Sequence, residues 1–136
     1  MRASRIVFAT VAAAVGLLGA IGVQSLCAQQ PAFSRNVLQK ADLSAPGREA
    51  VQITAEFGPG GTTGRHTHHG EEIGYVLEGQ FVFTVEGKPP VTLKAGDHFF
   101  VPAGTVHEAT NTGKTNAKVV VTYVVEKGKP LATPAK

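Results

Sequence analysis

Apolar and polar residues alternate with a period of two along most of the chain beyond residue 50. Val51, Ile53, Ala55 and Phe57 are separated by Gln52, Thr54 and Glu56. That spacing puts the apolar side chains on one face of a strand and the polar ones on the other. Gly58 to Gly64 is a glycine-rich turn. Glu72 to Glu78 and Gln80 to Glu86 read as two strands paired around Gly79, and Gly87 to Pro90 interrupts the pattern. Short strands follow at Val91 to Lys94, His98 to Val101 and Val106 to Asn111, separated by the turns Ala95-Gly96-Asp97 and Pro102 to Thr105. Ala117 to Val125 is a long β-branched run, expected to be buried on both faces or at an interface. No stretch beyond residue 28 carries helical periodicity, and there is no internal repeat. Many short strands punctuated by Gly and Pro predict an all-β sandwich or barrel.

The chain divides into four parts on this reading. Residues 1–28 form a leader. Residues 29–47 are a polar lead-in closed by Ala45-Pro46-Gly47. Residues 48–127 hold the strands, and 128–136 is expected to be a flexible tail.

Charge matters mainly through its distribution. The 13 Lys and Arg against 10 Asp and Glu give +3, but Arg2 and Arg5 precede an uncharged run from Ile6 to Val23. Two arginines before such a run resemble a secretory n-region and h-region, so the expected location is periplasmic or secreted. Without them the balance is 11 against 10, or +1. Cleavage after Ala28 or after Ser25 leaves Leu26 or Val23 at the third position back. The 18 residues of the run exceed the bilayer minimum of about 17, so a retained anchor is an alternative. A lipid on Cys27 is another, although Leu26 is bulky for it. The remaining lysines are dispersed with no aromatic-basic stripe, so no nucleic-acid partner is expected. Cys27 is the single cysteine, so no internal disulfide can form and the domain must rely on its core.

The candidate chemistry lies in His66, His68, Glu72 and His107. Histidines at i and i+2 share one face of a strand, and two imidazoles so placed can converge on one cation. Glu72 follows a turn-like step that can return a carboxylate to the same point. His107 arrives from a different strand. A lone His-x-His is usually surface decoration, and His69, Glu71 and His98 are expected to face solvent.

The pattern extends well beyond these four residues. Gly60, His66, His68, Glu72 and Gly79 in that spacing resemble the first motif of the cupin superfamily, and Gly96, Pro102, Gly104, His107 and Asn111 resemble the second. The 16 residues between Gly79 and Gly96 are similar to the short spacing of bacterial single-domain cupins. The resemblance implies a double-stranded β-helix, a jelly-roll cupin barrel, over 48–127. It implies that His66, His68, Glu72 and His107 ligate one divalent transition metal ion per chain. Iron or manganese ranks first, with zinc, nickel, cobalt or copper as alternatives. It implies a loop-fixing role for Asn111 and a homodimer, for which Val119 to Val125 would suit an interface.

The expected function is that of a metal-dependent dioxygenase or oxidoreductase acting on a small organic molecule, with Glu72 also a candidate catalytic base. A metal-dependent isomerase, decarboxylase or lyase is an alternative, as is a non-catalytic protein binding a metal or small ligand. Phe57, Tyr75, Phe81, Phe83, Phe99 and Phe100 are expected to fill the barrel and a subunit interface. No Arg or Lys is placed on the ligand-bearing face, since Arg65 should point away from His66. A strongly anionic substrate is therefore not indicated.

Overall fold

A computed structural model describes residues 32–136; the leader at 1–28, with its signal and anchor alternatives, lies outside them. The described residues contain ten strands and no helix. They are β1 (Phe33–Asp42), β2 (Arg48–Phe57), β3 (His66–Thr67), β4 (Gly70–Glu78), β5 (Gln80–Val85), β6 (Val91–Lys94), β7 (His98–Val101), β8 (His107–Thr110), β9 (Ala117–Glu126) and β10 (Thr133–Pro134). Two five-stranded antiparallel sheets face one another, in the orders β1-β2-β9-β4-β7 and β10-β3-β8-β5-β6. This is the expected jelly roll.

The alternating strands supply the core. Val51, Ile53, Ala55 and Phe57 of β2 point inward beside Val119, Val121, Tyr123 and Val125 of β9. The facing sheet contributes Phe81, Phe83 and Ala109. Phe57 and Phe81 stack across the interior at 5.4 Å, and Phe83 meets Phe99 at 4.6 Å. Burying aromatic rings of this size drives the association of the sheets.

Four expectations need correction. The polar lead-in contains β1, a ten-residue edge strand paired with β2 from Phe33↔Phe57 to Asp42↔Glu49. It is almost wholly exposed, and a bulge between Val37 and Gln39 breaks its alternation, which hid the strand period. The tail is not loose, because β10 pairs with β3 through Thr133↔Thr67 and Pro134↔His66. The strands on either side of Gly79 do not pair. β4 lies between β7 and β9, whereas β5 lies between β8 and β6 in the other sheet. The chain turns this corner at Gly79, whose φ is +68° and whose hydrogen faces the Asn116 carbonyl, where a Cβ would stand only 2.3 Å from the oxygen. Finally, β9 turns Val119, Val121, Tyr123 and Val125 to its own core, so these residues are not available to a partner subunit.

The aromatic residues divide between the two surfaces. Phe57, Phe81, Phe83 and Phe99 lie inside, while Tyr75 and Phe100 are 49% and 57% exposed on the outer face beside Ile73 and Leu77.

Asn111 is fully buried and holds the end of β8 in place. Its amide nitrogen donates to the carbonyls of Phe57 (2.9 Å) and Thr115 (2.8 Å), and its amide oxygen accepts from the Gly113 N–H (2.9 Å). Replacement by alanine strands these groups without partners. Asn111→Ala is expected to cost about 2–3 kcal/mol of stability, read as a lower urea midpoint; an unchanged midpoint would contradict the fixing role.

Candidate metal centre

The four predicted ligands meet at one point. β3 and β8 pair in direct register at His66↔His107, which sets the two rings side by side at 4.3 Å between centroids. His68, two residues beyond His66, returns to the same face, 4.8 Å from the His66 ring and 5.1 Å from that of His107. Glu72 reaches across from β4 in the opposite sheet. One ligand atom from each of the four residues lies within 4.8 Å of all the others. His68, Glu72 and His107 are 3%, 5% and 3% exposed, and His66 is 9% exposed.

Local backbone geometry explains the convergence. Gly70 opens β4 where the β9 backbone passes so closely that a Cβ would lie 2.0 Å from the Val124 carbonyl oxygen. The approach carries Glu72 inward opposite Tyr123. The Gly104 N–H donates to the His68 carbonyl at 3.0 Å, tying the loop before His107 to the segment holding His68.

Each histidine is oriented by a backbone carbonyl. The Nδ1–H of His66 donates to Gly64 O (2.8 Å), that of His107 to Thr105 O (2.9 Å), and that of His68 to Leu131 O. A carbonyl only accepts, so the Nδ1 atoms carry protons and, in the neutral rings, Nε2 presents a lone pair. His107 is the exception: with both nitrogens protonated, its Nε2–H donates to Glu72 Oε2 at 2.7 Å. The buried Nε2 of His68 lies 2.9 Å from the same oxygen, out of line for a hydrogen bond, and has no other partner. An orphaned buried nitrogen beside a shared carboxylate oxygen fits a cation at the centre. Three imidazoles, one carboxylate and no thiolate suit a divalent transition metal and exclude a cysteine-type structural zinc site.

The charges follow from burial and contact. Burial pushes the Glu72 carboxyl up, but the hydrogen bond from His107 and the adjacent His68 outweigh it and hold the group at about 2. Burial acts to lower His107, and Glu72 reverses that into a net rise. Burial lowers His66. Burial also pushes the Tyr123 hydroxyl up, so it stays protonated.

A cavity of about 310 Å³ opens beside the centre. His66, Glu72, His107 and Tyr123 are among its polar lining residues, and Phe57, Phe81, Phe83 and Phe99 among its apolar ones. His69 and His98 are exposed and Glu71 is half-buried; none joins the cluster. Arg65 does border the cavity, contrary to expectation, but its guanidinium pairs with Glu86 at 3.0 Å. Sequence reasoning missed Phe33 and Arg35, which line the mouth from the unrecognised β1, and Leu131, Ala132 and Pro134 from the tail. The alternation of Phe33 and Arg35 was the only available signal for the first pair; a backbone acceptor such as Leu131 O leaves none.

The cupin domain family matches residues 53–123, a span that includes all four clustered residues. The chain is 38% identical over 76 residues to the HTH-type transcriptional regulator PuuR of Escherichia coli, covering 55% of this chain and 40% of the regulator. It is 41% identical over 68 residues to the oxalate-binding protein of Thermotoga maritima, covering 49% of this chain and 55% of that protein. The chain thus spans about half or less of the length of these curated relatives. An oxalate oxidase solved in complex with glycolate aligns with a TM-score of 0.62 at 25% identity, over 79% of this chain and 57% of that one.

Ligation requires His107 to release its Nε2 proton, which Glu72 stabilises. Below the raised pKa of His107, affinity for Zn²⁺ should climb as pH rises, by about tenfold per unit for each imidazole proton released. Glu72, already ionised down to about 2, should contribute nothing to that slope. Calorimetric titration in buffers of different ionisation enthalpy checks both, and a pH-independent affinity would contradict the assignment.

Proposed function

We propose, for a chain that belongs to the cupin domain family, that it is an exported metal-dependent oxidoreductase of dioxygenase type acting on a small organic molecule. The observation that carries this reading is the convergence of three oriented Nε2 atoms and one carboxylate beside a cavity of substrate size. A bound iron or manganese ion would supply Lewis acidity and one-electron chemistry with dioxygen. His66, His68, Glu72 and His107 would hold it.

The chain's own residues do the rest. The aromatic wall excludes water and sets the shape of the ligand. Tyr123 keeps a hydroxyl proton available for donation. Glu72 lines the cavity, within reach of a proton on a bound ligand. While His107 donates to it, Glu72 is a weak base. Once His107 gives up its Nε2 proton, as ligation requires, that donor is gone, and Glu72 can act as a base when its carboxylate lets go of the cation. The similarity to an oxalate oxidase supports oxidative chemistry, and the uncharged run after Arg5 supports export. The similarity to an oxalate-binding protein favours a second reading, a non-catalytic receptor for a small ligand.

Protein recovered from its exported fraction is expected to hold one metal ion per chain and to consume dioxygen with a small organic substrate. His68→Ala and His107→Ala should lose the ion while retaining a β-sheet circular dichroism spectrum. Equal metal content in all three proteins would refute the ligand set. Turnover without oxygen uptake would move the chemistry to a lyase, decarboxylase or isomerase, and full metal loading without turnover of any substrate would favour the receptor.

The chain is further proposed to form a homodimer through the outer face of β4 and β7, where Ile73, Tyr75, Leu77 and Phe100 are exposed. Light scattering should give a dimer mass, falling to a monomer in the double variant Ile73→Lys, Phe100→Lys. A wild-type monomer mass would end this proposal.

A further inference from the structure

Arg35 stands out among the residues around the cavity. It lies on the inner side of β1, opposite the buried Ala55, and lines the cavity mouth. Its guanidinium sits 5.5 Å over the Phe33 ring, a contact that positions a cation without neutralising it. It forms no ion pair with any described residue. Residues 1–31 contain no Asp or Glu, so they cannot supply a carboxylate side chain either. The other arginine at the cavity, Arg65, is already paired with Glu86.

Two features of the cavity lining can address a polar ligand. One is the centre formed by His66, Glu72 and His107. The other is the uncompensated guanidinium at the mouth. Phe57, Phe81, Phe83 and Phe99 supply apolar surface to the same cavity. A guanidinium presents donors in a planar fork that matches a carboxylate. Phenyl rings select a flat or branched hydrocarbon body.

We infer that the cavity takes a small carboxylic acid with an apolar, preferably aromatic, body, and that Arg35 is the residue selecting for its carboxylate. This rests on the metal-centre reading above and deepens it by naming the ligand class. It also revises the sequence-based expectation that an anionic substrate is not indicated, an expectation that followed from reading β1 as a lead-in. Arg35 is a specificity residue on this inference and is not one of the four clustered residues.

The test compares benzoate with its neutral isostere benzamide, by calorimetry on the full chain loaded with redox-inert zinc. Wild type should bind benzoate more tightly by about tenfold or more. Arg35→Met should bring the two ligands to near equality, and Arg35→Lys should retain part of the preference. Zinc content is measured for each protein. Loss of the preference in Arg35→Met at unchanged zinc content supports the inference. The same preference in wild type and Arg35→Met overturns it, since the anion is then selected at the metal, and leaves the metal-centre reading intact. Failure of wild type to bind benzoate also overturns it. A wild-type protein that takes up no zinc overturns the metal-centre reading instead. The Arg35 comparison is then read on the metal-free proteins by the same ratio.

Discussion

Three hydrogen bonds from imidazole Nδ1–H groups to backbone carbonyls govern the interior of this barrel. The acceptors belong to Gly64, Leu131 and Thr105, and each leaves the opposite nitrogen facing the same point. A histidine ring free to rotate presents either nitrogen. One tied to a main-chain oxygen presents a single lone pair in a fixed direction. Packing holds the carbonyls, so the electronic state of the centre is inherited from the backbone. The cost is visible in the orphaned His68 nitrogen and in the short contacts to one Glu72 oxygen. Such crowding is expensive in a dry interior unless a cation compensates it.

The two-sheet architecture then assigns separate duties to the strands. The sheet built on β3 and β8 brings the imidazoles, and the sheet built on β4 and β9 brings the carboxylate and the Tyr123 hydroxyl. The centre therefore ties the faces of the sandwich together near one end. The remainder of the interior is filled by phenylalanine and valine. Function and stability overlap in the aromatic residues, since Phe57, Phe81 and Phe83 both pack the core and line the cavity.

The cluster of His66, His68, Glu72 and His107 was legible from sequence because its spacing resembles both cupin motifs. His66 and His68 share a strand face, and the second block placed His107 on a separate strand. The inward faces of β2 and β9 were equally legible, since Val51 to Phe57 and Val119 to Val125 alternate cleanly with half-exposed neighbours. Other features left weaker traces. β1 has one interior side at a sheet edge, and its bulge at Val37 and Gln39 disrupts the period. The corner at Gly79 looks like a hairpin in sequence because both produce strand, glycine, strand. Leu131 acts through its carbonyl, which every residue possesses. In each case the missing information was a long-range backbone pairing, whereas the legible parts were carried by side chains.

The pairing of β10 bears on how His68 is held. That strand is held to β3 by two residue pairs, far fewer than join β2 to β9. Short peripheral strands open at a small fraction of the free energy needed to melt a domain. When β10 detaches, the Leu131 carbonyl withdraws from His68 and one flank of the cavity is laid open, while the barrel itself stays closed. The orientation of His68 thus depends on the pairing of the last strand, whereas His66 and His107 are each oriented by a carbonyl two residues before them.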